Sequence, residues 1–212
     1  MKDNLTEIVF ILDESGSMYD LAADTIGGFN SYVEEQRHQP GEAYLTTVAF
    51  NTTPRTLHDH VNIKDVPRLT DRDYSPVGGT ALMDAIGTTV TSVGKRLANT
   101  PENERPSKVI VVITTDGMEN SSMEYTHSQI KEMIQHQQDK YSWEFIFIGA
   151  GIDAYSEASR IGIGGLHTMS VAADSLGTSN LFNSVTNYTC GLRSGTAVLD
   201  ESWKVGDLGS EK

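Results

Sequence analysis

Apolar positions along the chain follow two kinds of spacing. Four short runs, Glu7 to Leu12, Ala43 to Phe50, Lys108 to Thr114 and Trp143 to Ile148, are rich in β-branched and aromatic residues. In VIVVIT and FIFIG consecutive positions are apolar, as in strands covered on both faces, whereas a sheet with one wet face would alternate. These runs predict central parallel strands. Between them, Leu82, Ala85, Ile86, Val90, Val93 and Leu97 fall at three- and four-residue steps and predict a helix packed on the sheet. Ile130, Met133 and Ile134 mark a second helix, and Leu181, Val185, Tyr188 and Leu192 a last one over residues 174–193. Residues 20–38 predict the first helix, and residues 55–63 a more polar strand whose Pro54 start places it at an edge. Alternating β and α elements mean a doubly wound α/β sheet with helices on both faces.

Proline- and glycine-bearing stretches at 65–79 and 99–107 read as loops too short to separate domains. Gly162, Gly164 and Gly165 read as a turn before the last strand. After Gly195 the pattern fades, so one domain over residues 1–195 and a flexible tail over 196–212 are expected, with Trp203 as the residue able to dock that tail or to form a short partner motif. The 212 residues carry 16 Lys+Arg against 29 Asp+Glu, a net charge of −13, with no basic cluster to displace phosphate counterions. That balance disfavours nucleic acid and anionic lipid and favours cations or basic partner surfaces. The single cysteine, Cys190, excludes an intrachain disulfide. The apolar run Ile8 to Leu12 is too short for a signal-peptide core or a membrane span, so a cytoplasmic protein is expected.

Ligands in open parallel sheets bind at the carboxyl ends of the strands. Three polar clusters fall there: DESGS, with Asp13 closing the first strand and Ser15 and Ser17 in the turn after it; Gly78-Gly79-Thr80, which delivers Thr80 at a helix start; and Thr115-Asp116-Gly117, which closes VIVVITT. They supply two carboxylates and three hydroxyls, all hard oxygen donors. Such a set suits magnesium, which takes oxygen ligands and retains waters; manganese or calcium are alternatives. Ser15, Ser17 and Thr80 read as direct ligands, and Asp13 and Asp116 as holding coordinated waters or binding directly. Two carboxylates cancel a divalent charge and leave the cation electrophilic enough to accept a carboxylate from outside. Each residue also has a plainer reading: Asp13 as a turn cap, Thr80 as a helix N-cap, Asp116 as a strand terminator.

DxSxS at Asp13, Ser15 and Ser17, the GGT threonine Thr80, and TDG at Asp116 resemble, in order and spacing, the metal-ion-dependent adhesion site (MIDAS) of von Willebrand factor type A domains. The resemblance covers residues 5–195. It implies a central, mostly parallel sheet with one antiparallel edge strand, and a Mg2+ or Mn2+ ion bridging to an Asp or Glu carboxylate of a protein partner. The GGTALMDAI stretch and the absence of disulfides resemble stand-alone bacterial or phage-type members, some encoded beside tellurite-resistance or stress-response genes, others working with chaperone ATPases. The resemblance also implies that metal ligation can be coupled to movement of the last helix, here residues 174–193, although nothing in the residues themselves shows two states.

Around this set, Glu14, Met18, Tyr19, Glu119 and Asn120 are expected to form a rim, and Asp84 to complement a helix dipole or, as the second reading, to support the metal ligands from behind. His58 and His60, at alternate positions of an edge strand, are expected on one face, either simply solvated or as a second metal site. GTTVTSVGK at 87–95 has its glycines one residue too far apart for a phosphate loop. A magnesium-dependent phosphohydrolase is the rival class, but aspartyl-nucleophile enzymes place a second acid two residues after the first, where this chain has Ser15. A third possibility is self-assembly, in which Asp200, Glu201, Asp207 or Glu211 of a neighbouring copy fills the site.

Overall fold

The computed structural model describes residues 1–198 and 200–209. Six strands, β1 (Lys2–Asp13), β2 (Glu42–Phe50), β3 (Pro54–Asn62), β4 (Pro106–Thr115), β5 (Glu144–Ala150) and β6 (Thr168–Val171), form one sheet in the order β3-β2-β1-β4-β5-β6. All neighbours are parallel except β2 and β3, so the polar run starting at Pro54 is the antiparallel edge. Five helices cover it: α1 (Ala22–Arg37), α2 (Leu82–Asn99), α3 (His127–Tyr141), α4 (Ala154–Arg160) and α5 (Ser175–Ser194).

The consecutive apolar positions of β1 divide by parity between two cores. Ile8, Phe10 and Leu12 pack with Phe29, Tyr32, Phe182 and Val185 of α1 and α5, whereas Val9 and Ile11 pack with Ile86, Val90 and Val93 of α2. Phe10 meets the rings of Phe29 and Tyr32 edge-on at 5.5 and 5.3 Å, within the range where aromatic pairs add to plain burial. Gly28 is where α1 and α5 touch, since a Cβ there would lie 2.1 Å from the Phe182 ring.

Three local expectations change. The short helix α4, whose inward residues are mainly the alanines Ala154 and Ala158, has too little apolar contrast to show in the pattern. Leu45 of β2 pairs with Val61 and Thr47 with His58, so two residues of β3, Asp59 and His60, oppose the single Thr46 of β2 in a bulge, with His60 at a φ of 52°. The bulge breaks the alternation and sends the imidazoles to opposite faces: His58 is buried and stacked on Phe29, while His60 stacks on Tyr44 and bonds Glu7. A shared metal site at these histidines is thereby excluded.

Third, the region read as a flexible tail is packed where it is described. Trp203 is buried, stacks on Tyr188 with ring centroids 4.9 Å apart and donates its indole N–H to the Leu166 carbonyl at 3.0 Å. The Leu208 amide donates to the Ser170 carbonyl, Asp207 accepts from the Ser170 amide and from the Tyr155 hydroxyl, and the Lys204 ammonium donates to the Gly165 carbonyl. Three of the four acids considered for self-assembly therefore have partners in their own chain: Asp200 caps Ser202, Glu201 pairs with Lys204, and Asp207 holds Ser170. The fourth, Glu211, lies outside the described residues.

Candidate metal centre

The β1–β4 pair is the switch point of the sheet, because the connection after β1 leads to β2 on one side and β4 returns on the other. Asp13 and Thr115 end these strands, and the turns after them carry the serines and Asp116. Ser15 and Ser17 lie 3.1 Å apart through their hydroxyl oxygens, and the Ser17 hydroxyl donates to Asp116 Oδ1 at 2.7 Å. Asp13 accepts the Ser15 amide at 2.7 Å on Oδ1 and the Thr115 hydroxyl on Oδ2. Four of the five residues expected at the site thus form one hydrogen-bonded cluster.

Thr80 reaches the same spot through two glycine-dependent approaches. Gly78, at a φ of 80°, accepts the Gly16 amide through its carbonyl, and this ties the loop before α2 to the DESGS turn. A Cβ at Gly117 would lie 2.8 Å from the Thr80 hydroxyl, so glycine in TDG lets the threonine oxygen approach the Asp116 turn. The Thr80 amide donates to Asn120 Oδ1, and the Asn120 amide returns a bond to the Thr80 carbonyl.

Among the described residues no cationic side chain balances the charge of the site. Asp13 is fully buried, and burial pushes its carboxyl up to about 6 against the opposing hydrogen bonds from Thr115 and Ser15. Asp116, half-buried, is raised for the same first reason, with the Ser17 hydroxyl acting against it. Among the described residues no Lys, Arg or His pairs with either carboxylate, nor do three His, Cys, Asp or Glu side chains cluster anywhere as metal ligands. Two unpaired acids among three neutral hydroxyls fit a hard divalent ion and would suit a softer nitrogen- or sulfur-seeking one poorly.

Several expected rim residues turn out to be supports. Glu14 is buried and holds Arg55 through both oxygens at 2.9 Å while accepting the Ser75 amide. Met18 is buried as well. Glu119 uses its oxygens on the Met83, Ser121 and Ser122 amides and the Ser122 hydroxyl. Asp84, expected to act on the helix dipole, accepts the amides of Met123, Glu124 and Tyr125 and so anchors the loop that follows Asp116. Tyr19 and Asn120 remain exposed on the rim. Two residues were missed. Thr115, hidden as the second threonine of TTDG, bonds Asp13, and Tyr74, inside a stretch read as loop, donates its hydroxyl to the Asp13 carbonyl.

A family model, von Willebrand factor type A domain, matches residues 7–184. No curated protein sequence matches. Among solved structures, proximal thread matrix protein 1 from the mussel byssus superposes with a TM-score of 0.64 at 17% identity, covering 88% of this chain and 46% of that one. A further structure of that protein is described with a zinc-occupied MIDAS motif. A von Willebrand factor type A protein from Catenulispora acidiphila gives 0.60 at 16% identity over 88% of this chain and 42% of that one. The vWF domain of the pilus tip protein Mfa5 from Porphyromonas gingivalis gives 0.64 at 11% identity over 91% and 96%. This chain spans less than half the length of the first two, and at these identities the likeness is one of fold. The family model covers the sheet from β1 into α5, and the chain belongs to the von Willebrand factor type A domain family.

Proposed function

We propose that the chain is a metal-dependent protein-interaction module in which Asp13, Ser15, Ser17, Thr80 and Asp116 hold a divalent ion, with Mg2+ or Mn2+ preferred. The observation that carries this is the convergence of five oxygen-bearing side chains from three separate loops around two carboxylates that have no cationic partner. When bound, the ion supplies a Lewis-acid position for an Asp or Glu carboxylate of a partner.

The residues of the chain have distinct tasks. Ser15, Ser17 and Thr80 offer neutral oxygens, so the site does not over-neutralise a divalent charge. Asp13 is oriented by the Ser15 amide and Thr115, and Asp116 by Ser17. Glu119, Asn120 and Asp84 hold the third loop against the start of α2. A general acid for phosphoester cleavage is not part of this set, since Ser15 stands two residues after Asp13. We therefore read the module as non-enzymatic.

Calorimetric titration of metal-stripped protein with magnesium and manganese, beside Asp13→Ala and with glutamate present or absent, tests the reading. Binding that needs Asp13 and tightens with glutamate is expected. Binding that is indifferent to Asp13, or no binding at all, overturns it.

A further inference from the structure

The loops at the end of the sheet that carries the candidate metal centre share two properties that metal binding does not require. Each of four loops exposes one or two large apolar side chains: Tyr19 at 73% after β1, Val77 at 61% before α2, Met118 at 60% and Met123 at 94% after β4, and Leu176 at 70% at the start of α5. The internal bonds put them on the same end of the sheet. Val77 donates its amide to the Glu14 carbonyl, Met123 donates to Asp84 of α2, and Ser175, beside Leu176, bonds Asp24 at the start of α1. Single exposed apolar residues are ordinary, but several on the loops of one end of a sheet, beside a polar centre, mark an interaction surface.

The second property is charge. The charged residues on the loops 13–24, 75–84, 115–126, 151–153 and 172–176 are all acidic, while the adjoining stretch 66–74 carries Arg68 and Arg72 beside Asp71 and Asp73. Among the described residues only Glu14 of this set is paired with a cation, Arg55. Two carboxylates, Asp13 and Asp116, would be neutralised by a bound divalent ion; Asp20 and Glu124 stay exposed around them. A partner acid approaching alone meets this like-signed ring, whereas flanking cations convert the same ring into an attraction.

Resting on the function proposed above, we propose that this face docks a polypeptide segment in which one carboxylate is flanked by apolar residues and then by Lys or Arg. The carboxylate meets the cation, the apolar neighbours meet Tyr19, Val77, Met118 and Leu176, and the basic residues meet Asp20 and Glu124. Specificity among carboxylate-bearing partners then comes from the surround and not from the metal.

The test uses immobilised peptides: Lys-Leu-Asp-Leu-Lys, its Glu-flanked counterpart Glu-Leu-Asp-Leu-Glu, and Lys-Ser-Asp-Ser-Lys, against the full chain in manganese. A parallel manganese titration is run on every protein sample. The Lys-flanked, Leu-bearing peptide is expected to bind about tenfold more tightly than either other peptide, and to weaken as salt is raised. The double variant Tyr19→Ser/Leu176→Ser should lose about tenfold in peptide affinity while binding manganese as the parent does. Equal or tighter binding of the Glu-flanked peptide, an unaltered double variant, or no peptide binding by manganese-loaded protein overturns the inference and leaves the metal-site reading standing. Failure of the parent protein to bind manganese overturns both.

Discussion

The hydroxyl of Ser17 and the carboxylate of Asp116, 99 residues apart in the chain, are joined by a 2.7 Å hydrogen bond that spans the loops leaving β1 and β4. This bond is the largest of the three hydrogen-bonding contributions that keep Asp116 ionisable against its burial. Ser17→Ala removes a cation ligand of the proposed site and the donor that orients Asp116. Manganese affinity should fall about tenfold, the scale of one charge-assisted hydrogen bond, with a change in thermal stability of less than about 1 kcal/mol. Calorimetry and thermal melts on the same sample separate the two.

Stability of the metal-free protein should depend on pH through Asp13. Its folded value of about 6 lies above the ordinary carboxylate value of 3.8, so between these the native state holds a proton that the unfolded state has released. Stability is therefore fully present below about pH 4 and lost as pH rises through 6, with a total of about 3 kcal/mol from this group. Added manganese reverses the slope, because only the ionised carboxylate suits the cation. Melts from pH 4 to 7 in chelator, for the parent and Asp13→Asn, check this. The asparagine variant should show a flatter profile.

Glu7 is buried on β1 and shared by Arg96 of α2 and His60 of the bulged strand. Arg96→Ala leaves that buried carboxylate with only the His60 ring and the Thr46 hydroxyl and should destabilise the fold by about 3 kcal/mol in urea unfolding. The double change Glu7→Gln/Arg96→Met removes both charges together and should cost clearly less than Arg96→Ala alone. Equal losses would mean that packing and not desolvation sets the penalty.

Trp203 joins the C-terminal segment to α5 through the Tyr188 ring and to the loop before β6 through the Leu166 carbonyl. Trp203→Ala should lower stability by about 3 kcal/mol, in the range of buried aromatic truncations, and should expose the chain after Gly195 to limited proteolysis. Proteolysis at the same rate as in the parent would show that the segment is held without the indole.

The parts legible in the sequence were those in which one local run determines one element. VIVVIT and FIFIG, short and rich in β-branched and aromatic residues, read as strands covered on both faces, the Leu82 to Leu97 spacing reads as a helix, and DxSxS, GGT and TDG each sit at an element boundary that the runs already mark. What stayed hidden depends on contacts made by chemistry across the chain. Asp84 and Glu119 look like surface acids, yet each spends its oxygens on loop amides about 40 residues away or within its own turn. The His58–His60 pair misled because a single inserted residue in β3 reverses which face a side chain takes. The docking of Trp203 was open in the sequence, since an isolated aromatic in a polar stretch says nothing of what receives it.

The bonds from Ser170 to Asp207 and Leu208 bear on how copies of this protein can associate. They occupy both outward backbone groups of Ser170, midway along a strand of only four residues. At the opposite border of the sheet, the bulge and Pro54 interrupt the ladder that a foreign strand would need. The sheet is thus closed to extension at both borders, and crowded or partly aggregating preparations should not grow through cross-β pairing of native molecules. Under the proposed function, contact with other proteins falls to the loops at the ends of the strands, where backbone pairing gives no affinity and recognition depends on side chains.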